Sequence, residues 1–377
     1  MCSGLYLCSA AVVRASQMAR EAKRARLMLN RVGSTVSALD SDEERREQYA
    51  LLPKSQKTYE DVKRDIERKY FWVADRAHYF ATTRAPWGAY VIKKLDIVDI
   101  LRPVKYYEAD GAGGWAKRDF HKRWAADKQG RVVNSIFCDP SGTAQGIHNT
   151  WRGFDVEELP AVPEDEAQAA CALIHAHILQ CCADGRQSVC DKLLDWFAAV
   201  FQRPGRRTGL GLLLRGDDVI VEWLRRDLMG PCCSSVEPLI DIPDPYGGIV
   251  FVQLDASGGR VPAHMKRLIT KPEIPFRIKF SKTFPAPNLV NLAITTSSCD
   301  EVAEAERKDP RIAVVDCDST MCCNMPYIYK LLEVGDDPRV QRAFYQTLMS
   351  RDLSAYEADD AFQLAFRAVL AEPVDSD

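Results

Sequence analysis

The residues best placed for phosphate chemistry follow a short apolar run and centre on Gly216. The run Leu210–Leu214 predicts a buried strand, and a helix-like segment begins at Val219. In nucleotide-binding α/β proteins, a glycine-rich loop at such a junction turns its N–H groups toward phosphates, while its lysine reaches the β- and γ-phosphates. This chain has Asp217 and Asp218 at the junction instead. Gly216 is therefore a candidate nucleotide contact that lacks the usual loop and lysine.

A second acidic position follows the apolar run Ile249–Leu254. Asp255 at the end of this run could hold Mg²⁺, directly or through water, in a phosphate-hydrolysing site. An adjoining glutamate would orient the attacking water, but Ala256 and Ser257 come next. Aspartate also serves well as a helix N-cap, so both roles stay open for Asp255.

Four short apolar runs are expected to position these residues. Each is separated from the next by a connection long enough for a crossover, so we predict one largely parallel sheet. The runs are Leu210–Leu214, Ile249–Leu254, Leu292–Thr296 and Ile312–Val315.

Helical periodicity flanks the predicted sheet. Apolar residues at i, i+3, i+4 and i+7 within Leu193–Phe201 predict a helix that ends at Pro204-Gly205. Thr58 is a plausible N-cap for an early helix, and 340–349 has helical spacing near the end of the chain.

Five stretches, in chain order, resemble the helicase-like domain of viral and phage primase-helicases. This family belongs to the superfamily 3 helicases and includes the poxvirus-type replication helicases. The stretches are HNTWRGF (148–154), DWFAAVFQRP (195–204), LLLRG (212–216), HMKRLITKPEI (264–274) and VQRAFYQTLMSRDLS (340–354). The resemblance implies an α/β fold: a RecA-like or AAA-like P-loop NTPase sheet flanked by helices, with a mixed N-terminal region and a helical C-terminus. It also implies ATP and Mg²⁺ as ligands, single-stranded or forked DNA as partner, and a homo-oligomeric ring.

The resemblance also implies site positions, and at each of them this chain departs from the full family pattern. The family pairs two acids where this chain has Asp255 alone. It places a sensor asparagine near the γ-phosphate, where this chain offers Ser297 and Ser298, whose hydroxyls cannot reproduce the geometry of an amide. It carries two adjacent arginines, one able to reach across a subunit interface, and here Arg311 remains while Pro310 replaces the other.

The family's DNA-facing region corresponds to the basic segment MKRLITKPEIPFRIKFSK. We expect it to attract phosphates through lysines, although ordinary solvated charges explain the same pattern equally well. The candidate DNA-binding residues are Lys266, Lys271, Lys279 and Lys282.

Two further clusters have simpler explanations. WAKRDFHKRW (115–124) mixes basic and aromatic residues that could stack bases, but an amphipathic helix with core aromatics is the commoner cause. Cysteine and histidine are dense in 171–182, yet the two close-spaced ligand pairs of a structural zinc site are absent, so we expect buried cysteines and no metal.

Composition bounds the class of protein. The chain has 377 residues, 46% hydrophobic and 27% charged, with a net charge of −3, so any nucleic-acid contact must come from a local patch. No apolar run approaches the length of a membrane span. The 13 cysteines lack a repeating spacing, which favours an intracellular, reducing location. The basic segment 1–33 has the composition of an organelle transit peptide, but also that of the commoner surface helix.

These patterns predict four parts: a basic helix and linker (1–54), an accessory region (55–160), a helicase-like core (161–356) and a C-terminal tail (357–377). The first functional hypothesis is a DNA-replication helicase module with impaired ATP hydrolysis. The second is a non-catalytic DNA-binding or assembly subunit that keeps the fold. A third hypothesis is an active helicase whose gene model lost a short segment after Gly216.

Overall fold

A computed structural model describes most of the chain beyond residue 56, in two compact units that divide after residue 135. The predicted N-terminal helix and linker (1–54) lie outside the described residues. The described ranges are 57–74, 78–82, 89–92, 94–109, 115–127, 130–236, 249–256, 260–276, 284–296, 302–358 and 360–371.

The first unit combines helices with a small sheet of order β3-β2-β1-β6 and a β4–β5 pair. Its elements are α1 (Tyr59–Lys69), β1 (Tyr70–Val73), β2 (His78–Thr82), β3 (Ala89–Ile92), α2 (Lys94–Leu101), β4 (Lys105–Ala109), β5 (Trp115–Asp119), α3 (Phe120–Ala126) and β6 (Val132–Val133). The predicted N-cap is confirmed, because the Thr58 side chain accepts a hydrogen bond from the Asp61 N–H and the Asp61 carboxylate accepts one from the Thr58 N–H. This capping box fixes where α1 begins.

The basic and aromatic residues of 115–124 divide between β5 and α3. Phe120 and Trp124 are buried in the core of this unit. The Arg123 guanidinium lies 4.1 Å from the centre of the Tyr59 ring. Trp115, by contrast, is 53% exposed. The interpretation of core aromatics with charges around them is thus confirmed for the helical part of the segment.

The second unit contains a five-stranded sheet with helices around it and two small two-stranded sheets, β7–β8 and β12–β13. Its strands are β7 (Ser135–Phe137), β8 (Ile147–Asn149), β9 (Gly211–Arg215), β10 (Cys233–Val236), β11 (Phe251–Asp255), β12 (Glu273–Phe276), β13 (Phe284–Pro287), β14 (Asn291–Thr296) and β15 (Ile312–Asp316). Its α-helices are α4 (Glu164–Ala170), α5 (Ala172–His177), α6 (Gln187–Gln202), α7 (Val219–Trp223), α8 (Ala263–Thr270), α9 (Val302–Glu306), α10 (Ser319–Cys322), α11 (Met325–Gly335), α12 (Pro338–Met349) and α13 (Ala361–Leu370). Two π-helical segments, Ile178–Cys182 and Leu224–Met229, continue α5 and α7.

The central sheet has the order β10-β11-β14-β9-β15, and every neighbouring pair is parallel. The four predicted strands are β9, β11, β14 and β15, so the predicted α/β architecture and parallel sheet are confirmed. A fifth strand, β10, lies at one edge, where no apolar run predicts it. Strands β9, β11 and β14 are buried along nearly their whole length, as expected for a sheet covered on both faces.

Helix α6 is the apolar centre of the second unit. Trp196 and Phe197 are fully buried, and the Trp196 indole N–H donates to the Leu210 carbonyl at 3.0 Å, just before β9. The helix starts earlier than the predicted segment and ends at Gln202, just before Pro204-Gly205 as predicted. Helix α13 lies in the part of the chain for which only a tail is predicted. Within the described ranges, no helix has the length and apolar character needed to cross a bilayer.

Candidate functional site at the carboxyl edge of the sheet

The carboxyl ends of the parallel strands form one edge, here called the carboxyl edge. The register pairs Asp255 with Thr295, Thr296 with Arg215, and Arg215 with Asp316. Gly216 and Asp255 therefore lie at the same edge, with β14 between their strands. In open α/β sheets this edge is where ligands bind. The structure thus brings together two of the predicted site residues.

Arg311 lies at the other end of the sheet. It precedes Ile312, which pairs with Gly211 at the start of β9. A five-residue strand spans about 16 Å, so Arg311 is well separated from the carboxyl edge of its own chain. Its guanidinium is paired with Asp309, with Nε 2.9 Å from Oδ1 and Nη2 2.7 Å from Oδ2. Within one chain, Arg311 and Asp255 do not share a site.

The junction between β9 and α7 is closed by the chain's own hydrogen bonds. The Gly216 N–H donates to the Thr296 carbonyl at 2.8 Å, as part of the sheet. The N–H of Val219, the first residue of α7, donates to Asp217 Oδ1 at 2.8 Å. A helix N-terminus attracts anions, and here the Asp217 carboxylate occupies that place. No glycine-rich loop intervenes between strand and helix.

Asp217 also contacts two side chains from the segment before α6. Its Oδ2 lies 2.9 Å from His177 Nε2 and 3.1 Å from Cys182 Sγ. The side chains of His177 and Asp217 are fully buried. Burial by itself would raise the pKa of Asp217, but attraction and hydrogen bonding from His177, with help from Cys182 and Val219, hold that pKa below its usual value. Burial likewise opposes the His177 charge, and Asp217 nevertheless raises the pKa of His177. The two groups stabilise each other's charged form.

Asp218 adds a second carboxyl group at the junction. The residue keeps contact with solvent. The pKa of its carboxyl group is nevertheless raised to about 6, first by the surrounding protein and then by the negative charges of Asp217, Glu222 and Asp255. A pKa near 6 leaves Asp218 ionised at neutral pH. The charge of Asp217 is balanced by His177, and that of Arg215 by Glu304 and Asp316, so Asp218 gives the edge beside β9 a net negative charge. This is the opposite of the field that a triphosphate needs.

The candidate DNA-binding lysines are placed differently from one another. The Lys266 ammonium lies 2.5 Å from Glu306 Oε2 and 3.3 Å from Asp309 Oδ2, and its side chain is only 20% exposed. Lys271 follows α8 and is exposed. Lys279, Lys282, Ser297 and Ser298 lie outside the described residues, so their roles stay predictions.

The meeting of His177 with Asp217 has no direct signal in the sequence. Asp217 is visible there as an acid directly after a buried strand, and His177 as one member of a cysteine- and histidine-rich segment. The shared helical face of Cys171, His175 and Cys182 does not form a single cluster. Cys171 donates to the Ala167 carbonyl at 3.2 Å, and His175 Nε2 lies 3.4 Å from Thr347 Oγ1.

Comparison with solved structures finds the same fold elsewhere. The apo structure of the NrS-1 C terminal region aligns with a TM-score of 0.55 and 15% identity, covering 81% of this chain and 72% of that one. The A form apo structure of that region gives a TM-score of 0.56 at 15% identity, covering 84% and 76%. No protein-family model and no curated protein matches the sequence. At this identity the likeness shows a shared α/β fold and nothing further.

Proposed function

We propose that this chain is a replication-associated relative of the viral and phage primase-helicases that keeps the helicase fold without hydrolysing ATP. In this proposal it serves as a DNA-binding or assembly subunit. The ordered family-like stretches and the parallel sheet support the kinship. The state of the carboxyl edge supports the loss of catalysis.

The observation that carries the proposal is the position of the Asp217 carboxylate. A phosphate bound after β9 would need the N–H groups at the start of α7, and the N–H of Val219 is already bonded to Asp217 Oδ1. Asp217 is in turn held by His177 and Cys182. Opening the junction for a phosphate would therefore break three hydrogen bonds in a buried place. A buried polar group left without its partner costs about 1–3 kcal/mol, so this rearrangement opposes nucleotide binding.

Electrostatic repulsion also opposes nucleotide binding at this junction. Phosphate-binding loops supply a lysine that offsets the charge of the β- and γ-phosphates. Here Asp217 and Asp218 take its place, and Asp255 is near enough to raise the pKa of Asp218. Bringing a polyanion to these carboxylates is unfavourable unless a metal ion screens them. We therefore expect ATP affinity to be far below that of an active family member.

The direct test is a nucleotide-binding and turnover measurement on the full chain. Binding of a fluorescent non-hydrolysable ATP analogue with Mg²⁺ is measured by anisotropy, and ATP turnover is measured with and without single-stranded DNA. We expect neither binding nor turnover above background. Asp255→Ala, purified in parallel, is the control for contaminating ATPases, because residual turnover that is equal in both preparations does not come from this chain. Turnover that vanishes in Asp255→Ala would show an active enzyme and overturn the proposal.

The assembly role is tested separately, through the oligomeric state. Arg311 can serve a nucleotide site only in a neighbouring subunit, because it lies away from the carboxyl edge of its own chain. In a chain without ATP turnover we expect no dependence of assembly on Arg311. Mass photometry of the wild type and of Arg311→Ala, with and without DNA, measures this. Loss of a ring in the variant would assign Arg311 to a subunit interface.

A further inference from the structure

We propose that His177, Cys182 and Asp217 bind a structural zinc ion that closes the carboxyl edge of the sheet. This site does not depend on the proposed function. It would hold the β9–α7 junction whether or not the chain binds nucleotide.

The geometry of the donor atoms carries the proposal. His177, Cys182 and Asp217 each offer one ligand atom, and these atoms all lie within 4.8 Å of one another in a fully buried place. Among the described residues, no other group of three such side chains places its donor atoms this close together. The buried Cys317 thiol, just after β15, is a neighbour of Cys182 but does not belong to this group of three. A tetrahedral zinc ion has ligands at about 2.0–2.3 Å, so the two Asp217 contacts, at 2.9 Å to His177 and 3.1 Å to Cys182, need only a small expansion.

The local helix geometry explains how His177 and Cys182 can face one centre. In an α-helix with 3.6 residues per turn, residues five apart point in quite different directions. The segment Ile178–Cys182 is π-helical, and this wider turn brings positions i and i+5 closer to one face. Such segments cost hydrogen-bond geometry and recur at functional sites. Here the wide turn ends at Cys182, on the side where Asp217 lies.

The remaining atoms of the ligands are already oriented by outer contacts. His177 Nδ1 lies 3.2 Å from the Tyr327 hydroxyl, which leaves Nε2 for the centre. Asp217 Oδ1 accepts from the Val219 N–H at 2.8 Å, which leaves Oδ2. Metal-bound histidine and carboxylate ligands characteristically have such partners, because these fix the ligand's tautomer and direction.

Charge and donor chemistry select the metal. The Cys182 thiolate and the Asp217 carboxylate balance a divalent ion, so with neutral His177 these three ligands and the ion have no net charge in a buried site. A mixed sulfur, nitrogen and oxygen set suits zinc, whereas Mg²⁺ and Ca²⁺ take oxygen ligands. Binding releases the protons that otherwise lie between His177, Cys182 and Asp217.

The first test uses the unmodified full-length protein. Metal content is measured after purification without chelator, and the chelated protein is then titrated with Co²⁺. We expect one zinc per chain, and on cobalt substitution a thiolate-to-cobalt charge-transfer band with tetrahedral d–d bands. X-ray absorption of the zinc form should show one or two sulfur ligands with nitrogen or oxygen completing four. A folded protein that takes up no metal, or a shell without sulfur, would overturn the proposal.

Matched variants separate this cluster from other thiols and histidines. His177→Gln and Cys182→Ser should lose the cobalt bands, whereas His175→Gln and Cys323→Ser should keep them. His175 lies on the same helix as His177. Cys323 is an exposed thiol, so its variant shows whether cobalt binds by chance at the surface. If a cluster variant does not fold, alkylation of wild-type Cys182 in urea below the unfolding midpoint replaces it, because the thiol is buried in the native state. Zinc should slow this labelling at least tenfold. Equal labelling with and without zinc, or bands kept in Cys182→Ser, would contradict the site.

Discussion

Asp195 and Tyr356 are joined by a hydrogen bond of 2.6 Å between Oδ2 and the phenol oxygen, although they lie 161 positions apart in the sequence. Arg351 donates to the other carboxylate oxygen at 2.7 Å. Asp195 is 7% exposed, on a helix whose other buried residues are apolar. The aspartate of the DWF stretch thus ties α6 to the chain beyond α12, a structural role rather than a catalytic one.

Tyr356→Phe should destabilise the protein by about 1.5–3 kcal/mol, because it removes a hydrogen bond to a buried carboxylate while keeping the ring stacked on Phe362. Asp195→Ala should cost more, since it removes the buried carboxylate that both Tyr356 and Arg351 contact. Among the described residues, Arg351 then keeps only its longer contact with Asp191, at 3.4 Å. Urea unfolding followed by circular dichroism measures both. Tyr329→Phe is the control, because Tyr329 is 41% exposed. Equal effects of the two tyrosine variants would show that the buried network contributes little.

Gly335→Ala should destabilise the protein by about 1–3 kcal/mol. In an ordinary helix interior this change gains about 0.5–1 kcal/mol. At Gly335, however, an added Cβ would lie 2.7 Å from the indole nitrogen of Trp223, which donates to the Gly335 carbonyl. Thermal unfolding compares it with Gly205→Ala, whose Cβ would meet its neighbours at an ordinary 3.8 Å. A stabilised Gly335→Ala protein would mean that Trp223 moves at little cost.

Acid should weaken the contact between Asp309 and Arg311. Hydrogen bonding from Arg311, assisted by Lys266, holds the pKa of Asp309 well below its usual 3.8. An acid with a lowered folded-state pKa contributes stability above its unfolded pKa, and this contribution is lost as pH falls through the folded value. In the wild type we therefore expect loss of stability below about pH 4, with a shallower slope in Asp309→Asn. Chemical unfolding between pH 2 and 7 tests this, with Asp165→Asn as an exposed control. Identical slopes in the wild type and in Asp309→Asn would exclude Asp309 as a source of the acid sensitivity.

DNA binding by this chain should be weak, salt-sensitive and independent of sequence, because the net charge of −3 opposes it. Changing Lys271, Lys279 and Lys282 to alanine should make the slope of log affinity against log salt shallower by about 0.7–0.9 for each phosphate that these lysines neutralise. Lys266→Ala should instead lower stability, since its ammonium is held by Glu306 and Asp309. Anisotropy of a labelled oligonucleotide at two salt concentrations measures the slopes. Undetectable binding at low salt would contradict a DNA role for this chain.

The parallel sheet could be predicted because buried strands in such sheets are continuous apolar runs bounded by turns. Strand β10, Cys233–Val236, lacks that signal, since its sequence CSSV is short and mixes polar with apolar residues. Helix α13 does carry a signal: Phe362, Phe366 and Val369 recur at i, i+4 and i+7 and are buried. The tail interpretation missed it because the family resemblance ends before it.

The candidate site could be predicted only in outline. Gly216 and Asp255 are expected at one edge because each follows a strand of the same parallel sheet. The contact between His177 and Asp217 depends on how the π-helical segment packs on the end of β9, and no periodicity in the sequence encodes that packing. The pairing of Lys266 with Glu306 and Asp309 is hidden for the same reason, since it joins residues from separate helices and loops.

Strand β9 is synthesised long before the strands that flank it in the sheet. Its two neighbours are β14 and β15, which begin at Asn291 and Ile312, whereas β9 ends at Arg215. At roughly 5–20 residues per second, the central strand leaves the ribosome several seconds before either neighbour exists. During that interval its apolar residues and both hydrogen-bonding edges have no native partner in the sheet. The nascent chain is therefore expected to need chaperone protection until β15 has emerged.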